Sequence, residues 1–256
     1  MKIGMGILPE LESIRDSVCV ARELGFDFVE LNAEFPFCLP ENIKDSDIDE
    51  KIFFTMHLFE KADVGLLYEP WRRSQIEMLK DLMLDYKKKV NVKKFSLHIN
   101  RGVFFTMPDK KIFVFEQFEQ LYIAACKRSF KELSDFAVKH DFEICFENVK
   151  IADYMLRIFK ILATYPNLFY TLDVGHDMVS GKRASAQFMQ TPHKIRHLHL
   201  HDVVNGIDHQ QLGKGIVDVK KVLDFCRRNN IDIVIEVRRK EQLANSLAYL
   251  KKLLKQ

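Results

Sequence analysis

The sequence predicts a (β/α)8 barrel, on three observations. Short apolar stretches with strand character alternate with stretches of helical spacing from end to end. Eight such pairs fit within 256 residues, the usual scale of this barrel. Polar residues then break the strand-like stretches at their C-terminal ends, where barrels build their sites. A doubly wound open sheet is the alternative, but it normally uses fewer strands, and no GxGxxG follows the first strand.

Lys2–Ile7 reads as the first strand. Glu12–Leu24 has helical spacing and stops at Gly25, a C-cap signal. Phe28–Leu31 is the second strand, and Glu34–Asp49 is irregular around Pro36 and Pro40. Ile52–Leu58 is the third strand, followed by a loop to Pro70. Trp71–Val90 is a helix with Ile76, Leu79 and Met83 on one face. Lys94–Ile99 is the fourth strand. Phe113–His140 reads as one long helix, with Phe118, Tyr122, Ala125 and Leu133 as its core stripe. Phe142–Asn148 is the fifth strand and Ala152–Ala163 a helix. Phe169–Val174 is the sixth strand, with a helix near Ala184–Gln190. Ile195–Leu200 is the seventh strand and Val217–Asn229 a helix. Asp232–Val237 is the eighth strand, and Glu241–Lys255 closes as a helix with Leu243, Leu247, Leu250 and Leu254 aligned. No linker-like seam interrupts the series, so residues 1–256 are expected to form a single domain.

Composition narrows the function. The chain is 47% hydrophobic and 29% charged, ordinary for a globular protein. The 39 basic and 36 acidic residues leave a net charge of +3, which gives no electrostatic case for nucleic acid. Cys19, Cys38, Cys126, Cys145 and Cys226 are scattered without a CxxC pair, the pattern of reduced thiols in a cytoplasmic protein. Neither a signal peptide nor a membrane span is expected, since no apolar run reaches about 18 residues.

The most informative stretch is Lys194–Gly215, KIRHLHLHDVVNGIDHQQLGKG. Strand alternation puts His197, His199 and His201 on one face, with Leu198 and Leu200 on the other. Each neutral imidazole needs a partner for both ring nitrogens, and a metal ion is one such partner. The third to eighth strands end near His57, His98, Glu147, Asp173, His199 and Glu236. Any one of these alone reads as a structural ion pair or a solvated rim residue. Six on one rim read differently. Glu147, Asp173 and Glu236 would repel each other in a low-dielectric funnel unless a cation neutralised them. Carboxylates with histidine suit Mn²⁺, Zn²⁺, Co²⁺ or Mg²⁺, and the residue types do not choose among these.

The segments MHL (56–58), LHIN (97–100), FENV (146–149), LDVGH (172–176), HLHD (199–202), HQQLGKG (209–215) and IEV (235–237) are weak singly. In this order and spacing, the chain resembles the xylose-isomerase-like TIM barrels. That family comprises sugar and sugar-phosphate isomerases and epimerases, with the endonuclease IV branch. The resemblance implies one divalent metal held by Glu147, Asp173, His199 and Glu236, with Glu147 and Glu236 also the acid–base pair. It implies substrate contact by His176 and by Glu30. The endonuclease branch, a zinc-cluster phosphodiesterase acting on abasic DNA, implies further ligands at His57, His98, His176 and His209, all histidines here. Two departures weigh against that branch. Its Asp two residues before His209 is Ile207 here, with Asp208 adjacent, and its DNA-side aromatic is Glu60.

His201 is expected either to face the site or to cap the rim. Lys214, between two glycines, is either a solvated turn residue or part of a phosphate cradle with exposed backbone N–H groups. Arg101 and Lys150, just past the fourth and fifth strands, carry the same ambiguity. His140 and His193 read as surface residues. The leading expectation is a metal-dependent isomerase or epimerase of a small carbohydrate substrate, with a homo-oligomer as one option for its assembly. A nucleic-acid partner enters only with the endonuclease alternative. A non-catalytic ligand- or partner-binding barrel is the third reading, and the complete Glu/Asp/His/Glu quartet argues against it.

Overall fold

The structure, a computed structural model, describes residues 1–255. Eight parallel strands close on themselves: β1 (Ile3–Gly6), β2 (Phe28–Asn32), β3 (Phe53–His57), β4 (Lys94–His98), β5 (Glu143–Glu147), β6 (Leu168–Asp173), β7 (Ile195–Leu200) and β8 (Asp232–Ile235). Each strand pairs with its sequence neighbours, and β8 pairs with β1. The fold is the (β/α)8 barrel that the alternation of elements predicts.

The helices follow in turn: α1 (Ile14–Leu24), α2 (Glu69–Val90), α3 (Val114–Gln117), α4 (Glu119–His140), α5 (Asp153–Leu162), α6 (Val174–Val179), α7 (Arg183–Phe188), α8 (Val219–Asn229) and α9 (Lys240–Leu254). Local chemistry sets their ends. Ser13 caps α1 by accepting from the Asp16 N–H, and Gly25 closes it with φ at 79°. Outward strand residues such as Met56, Leu97, Phe146, Leu198 and Ile235 are buried against this helical layer. Inward positions near the barrel floor hold a second apolar plug. Phe28 stacks on Phe53 at 4.7 Å between ring centroids. It fits because Gly4 has no side chain; a Cβ there would lie 2.4 Å from the Phe28 ring.

Two hairpins were not anticipated, and each follows a site strand. The first pairs Phe104–Thr106 with Lys111–Phe113. It takes the start of the expected Phe113–His140 helix, which is further broken at Phe118 between α3 and α4. Phe118 is therefore exposed, not core. Phe115 is buried instead and stacks on Tyr122 at 4.3 Å. Tyr122, Ala125 and Leu133 are buried as expected. The second hairpin pairs Asp202–Val204 with Ile207–Gln210 around Asn205–Gly206, both at positive φ. The helix expected near Ala184–Gln190 is Arg183–Phe188, preceded by the short α6. All five cysteines are free, and four are buried. No helix of the described residues is long and apolar enough to cross a membrane.

Candidate active site and metal centre

Strand register brings the polar strand ends together. His98 is level with Glu147, and Asp173 is level with His199. Glu236 follows the last residue of β8 and donates its N–H to Leu200 O at 3.1 Å, which keeps it at the same rim. Glu147, Asp173 and His199 each offer a ligand atom within 4.8 Å of the others. Glu147 Oε2 lies 3.2 Å from His57 Nε2, 3.5 Å from His98 Nε2 and 3.2 Å from His199 Nδ1. His199 Nδ1 is 3.5 Å from Glu236 Oε1. Glu147, Glu236, His199, His57 and His98 thus form one cluster, with Asp173 on its flank.

Three partners fix Asp173. Its Oδ1 accepts from the His176 N–H at 2.6 Å and its Oδ2 lies 3.0 Å from His201 Nε2. Its backbone is clamped by Asn148, which exchanges two hydrogen bonds with the Asp173 main chain, each at 2.8 Å. Asn148 therefore ties the end of β5 to the end of β6. Beside this lies a second group: His176, His201 and His209 within 4.8 Å of one another. Asp208 bridges them, 3.1 Å from His176 Nδ1 and 3.0 Å from His209 Nδ1. His209 holds this position from a left-handed backbone, φ 55°.

The charges respond to this crowding. Burial opposes a charge on His57, yet its hydrogen bond to Glu147 and the nearby Glu147 and Glu30 carboxylates outweigh it and raise the pKa to about 9. Burial likewise opposes a charged His199, and Glu236, Glu147 and Glu30 overcome it, holding the group well above its ordinary value. Burial would raise Glu147, but His199 and His98 and the hydrogen bonds around it hold it well below the carboxylate range. Protons on buried imidazoles here balance carboxylates that another cation could balance instead. His199 supports this on geometry alone. Both ring nitrogens are fully buried and neither has a well-directed hydrogen bond. An unpartnered buried nitrogen among three carboxylates fits a divalent cation, and the O/N donor set suits Mn²⁺, Zn²⁺, Co²⁺ or Mg²⁺.

A cavity of about 30 Å³ borders the cluster at His57 and Glu236, lined also by Glu30, Asn32, Phe35 and Arg238 among others. That volume suits an occupant of ion or water size. Arg238 and Asn32 are additions to the expected set. Arg238 lies two residues past Glu236, so the same strand alternation that selected Glu236 also pointed to it.

Glu30 is 2% exposed and lines the cavity together with His57 and Glu236. His201 does not face the mouth: it is fully buried, with Nδ1 accepting from the His209 N–H at 2.8 Å and Nε2 turned to Asp173. The glycine turn around Lys214 is not an open phosphate cradle. The N–H groups of Gly213, Gly215 and Val217 all point at the buried Asp202 carboxylate, at 3.0, 2.8 and 3.0 Å. Lys214 itself is exposed. Arg101 stacks on Phe113 at 4.1 Å and Lys150 is an exposed turn residue. Ile207 is exposed at the hairpin tip, while its neighbour Asp208 turns inward.

The family model for xylose isomerase-like TIM barrels matches residues 18–253, and the chain belongs to that family. A D-tagatose 3-epimerase-like protein superposes over 100% of this chain and 97% of its own, with TM-score 0.81 and 21% identity. The 3-keto-D-glucoside 4-epimerase YcjR from E. coli does so over 98% and 99%, with TM-score 0.78 and 18% identity. D-psicose 3-epimerase from Clostridium cellulolyticum H10, solved with D-tagatose, covers 99% of each chain, with TM-score 0.76 and 15% identity. At these identities the likeness is one of fold. No curated protein sequence matches the chain.

Proposed function

We propose that this chain is a divalent-metal-dependent isomerase or epimerase of a small sugar, sugar phosphate or related hydroxy-carbonyl compound. One observation carries the reading. Glu147 and Glu236, from β5 and the end of β8, meet at a single histidine nitrogen, 3.2 and 3.5 Å from His199 Nδ1. Family membership supports it, as do similar folds solved as sugar epimerases. Glu147, Asp173, His199 and Glu236 would hold the ion, which supplies the polarisation of the substrate carbonyl that acidifies the neighbouring C–H. Glu147 and Glu236 act on that proton from two sides, one removing it and the other returning it. His57 donates Nδ1–H to Leu58 O at 2.9 Å, so its Nε2 is aimed at Glu147 and orients that carboxylate. His98 and His176 are assigned to positioning the substrate, and Arg238 lines the cavity.

A second reading, zinc-cluster phosphodiester hydrolysis, draws support from the further groups His57–His98–Glu147 and His176–His201–His209. Against it, the exposed Glu60 donates its N–H to the Glu34 carboxylate at 3.0 Å, so two acids stand at the position the endonuclease branch gives to a DNA-side aromatic, where they would oppose phosphate binding. The test is a parallel assay of the Mn²⁺-, Co²⁺- and Zn²⁺-loaded protein on ketoses, phosphosugars and an abasic oligonucleotide. The expected result is conversion of a sugar, lost on chelation and restored by the ion. Cleavage of the oligonucleotide with no sugar converted would reverse the order of the two readings.

A further inference from the structure

Glu30 lies behind the site, inside the barrel. It extends from β2 and is level with Thr55 on β3. Its Oε2 accepts from Thr55 Oγ1 at 2.9 Å and lies 2.6 Å from His197 Nε2. Its Oε1 lies 2.8 Å from His199 Nε2. His197 and His199 are fully buried. They share the inward face of β7 two residues apart, which lets one carboxylate meet both.

An ionised carboxylate only accepts hydrogen bonds. The His197 nitrogen hydrogen-bonded to Glu30 therefore carries its proton on Nε2, and the 2.8 Å contact of His199 Nε2 with Oε1, close though not well directed, favours the proton on that nitrogen too. For His199 this leaves the Nδ1 lone pair free, and Nδ1 is the atom facing Glu147 and Glu236. Thr55 and His197 both engage Oε2, so the carboxylate is held from behind while Oε1 is left for His199. His197 Nδ1 has no partner among the described residues, so Glu30 is the one acceptor its ring meets.

We propose that Glu30 is a positioning residue that fixes the tautomer and ring orientation of His199, so that His199 binds the divalent ion through Nδ1. Thr55 and His197 act as its supports. This rests on the metal-dependent reading above. It accounts for three polar side chains below the reacting atoms, where a barrel normally packs aliphatic ones. Partners of this kind make a ligating histidine more basic, and their loss typically costs 10- to 100-fold in metal affinity.

The test is Mn²⁺ and Zn²⁺ affinity by competition titration for the wild type, Glu30→Gln and His199→Ala, with circular dichroism as the folding check. The expected result is loss of tight binding in His199→Ala and affinity weakened roughly 10-fold or more in folded Glu30→Gln. Unchanged affinity in Glu30→Gln, with binding lost in His199→Ala, would overturn this role for Glu30 and leave the metal site standing. Tight binding retained by His199→Ala would overturn the site itself and this inference with it. Should Glu30→Gln not fold, the zinc-loaded wild type decides. Its ¹⁵N spectrum is expected to show the His199 proton on Nε2, and a proton on Nδ1 would contradict the assignment.

Discussion

His201 Nε2 donates to Asp173 Oδ2 at 3.0 Å, and both side chains are fully buried. The tautomer is fixed from the other side, because His201 Nδ1 accepts the His209 N–H. The strand-seven histidines thus divide the labour by depth. His197 meets Glu30, His199 faces the proposed ion, and His201 braces Asp173 from beyond the strand end. The His201 ring also stacks on His209, with centroids 4.2 Å apart and planes 7° apart.

That brace depends on Gly175. A Cβ at this position would lie 2.0 Å from His201 Cε1. Gly175→Ala is expected to lower stability by about 1–3 kcal/mol, the usual scale of overpacking, and to weaken metal binding through Asp173. Thermal unfolding with a metal titration checks both. A variant matching the wild type in both would show that His201 yields freely and does not brace Asp173.

Metal content separates the proposed ligands from their neighbours. Asp173→Ala and His199→Ala are each expected to lose the tight ion while staying folded by circular dichroism. His57→Gln and His98→Gln are expected to keep it and lose turnover through substrate positioning. Elemental analysis of the four purified variants decides. Full retention in the first two would dismantle the quartet. Loss of more than one ion from His57→Gln would favour the cluster reading.

Asp63 gives a pH prediction away from the site. Burial raises its pKa from 3.8 to about 6, against a hydrogen bond from the Gly65 N–H that lowers it. Between those values the unfolded chain has lost the proton and the native state retains it. Stability therefore falls as pH rises from about 4 to about 6, and stays at the lower level above. The difference is on the order of 3 kcal/mol. Asp63→Asn is expected to flatten that decline and to raise the melting temperature at pH 7. An unchanged pH profile would mean that Asp63 ionises as freely in the native state as in the unfolded chain.

The barrel was legible because its signals repeat. Eight alternations of period, each with turn residues between, leave few other topologies. The rim residues were legible because an acid or histidine stands out at the end of an apolar strand. Less was visible where two local signals competed. VFFTMPDKKIFV carries alternation around Pro108–Asp109, but its apolar density also suits the start of a helix, and the hairpin won. The Asn205–Gly206 turn is a strong hairpin signal that the neighbouring histidines overshadowed. Depth along the barrel was the other hidden quantity. Sequence spacing puts Glu30 and His201 on the inward face but does not say that one lies below the site and the other behind Asp173. Nor does it say that Asp202 fills the glycine turn at Lys214, since that anion comes from 11 residues before Gly213.

The most direct test of the account is turnover by Glu147→Gln and Glu236→Gln. Both substitutions keep shape and remove the proton-accepting charge. With a sugar converted by the metal-loaded wild type, each variant is expected to lose turnover by about 10²-fold or more, the scale of a lost acid or base. The fold of each should stay intact by circular dichroism. Near wild-type conversion by both variants would contradict the assignment of this pair as the acid and base.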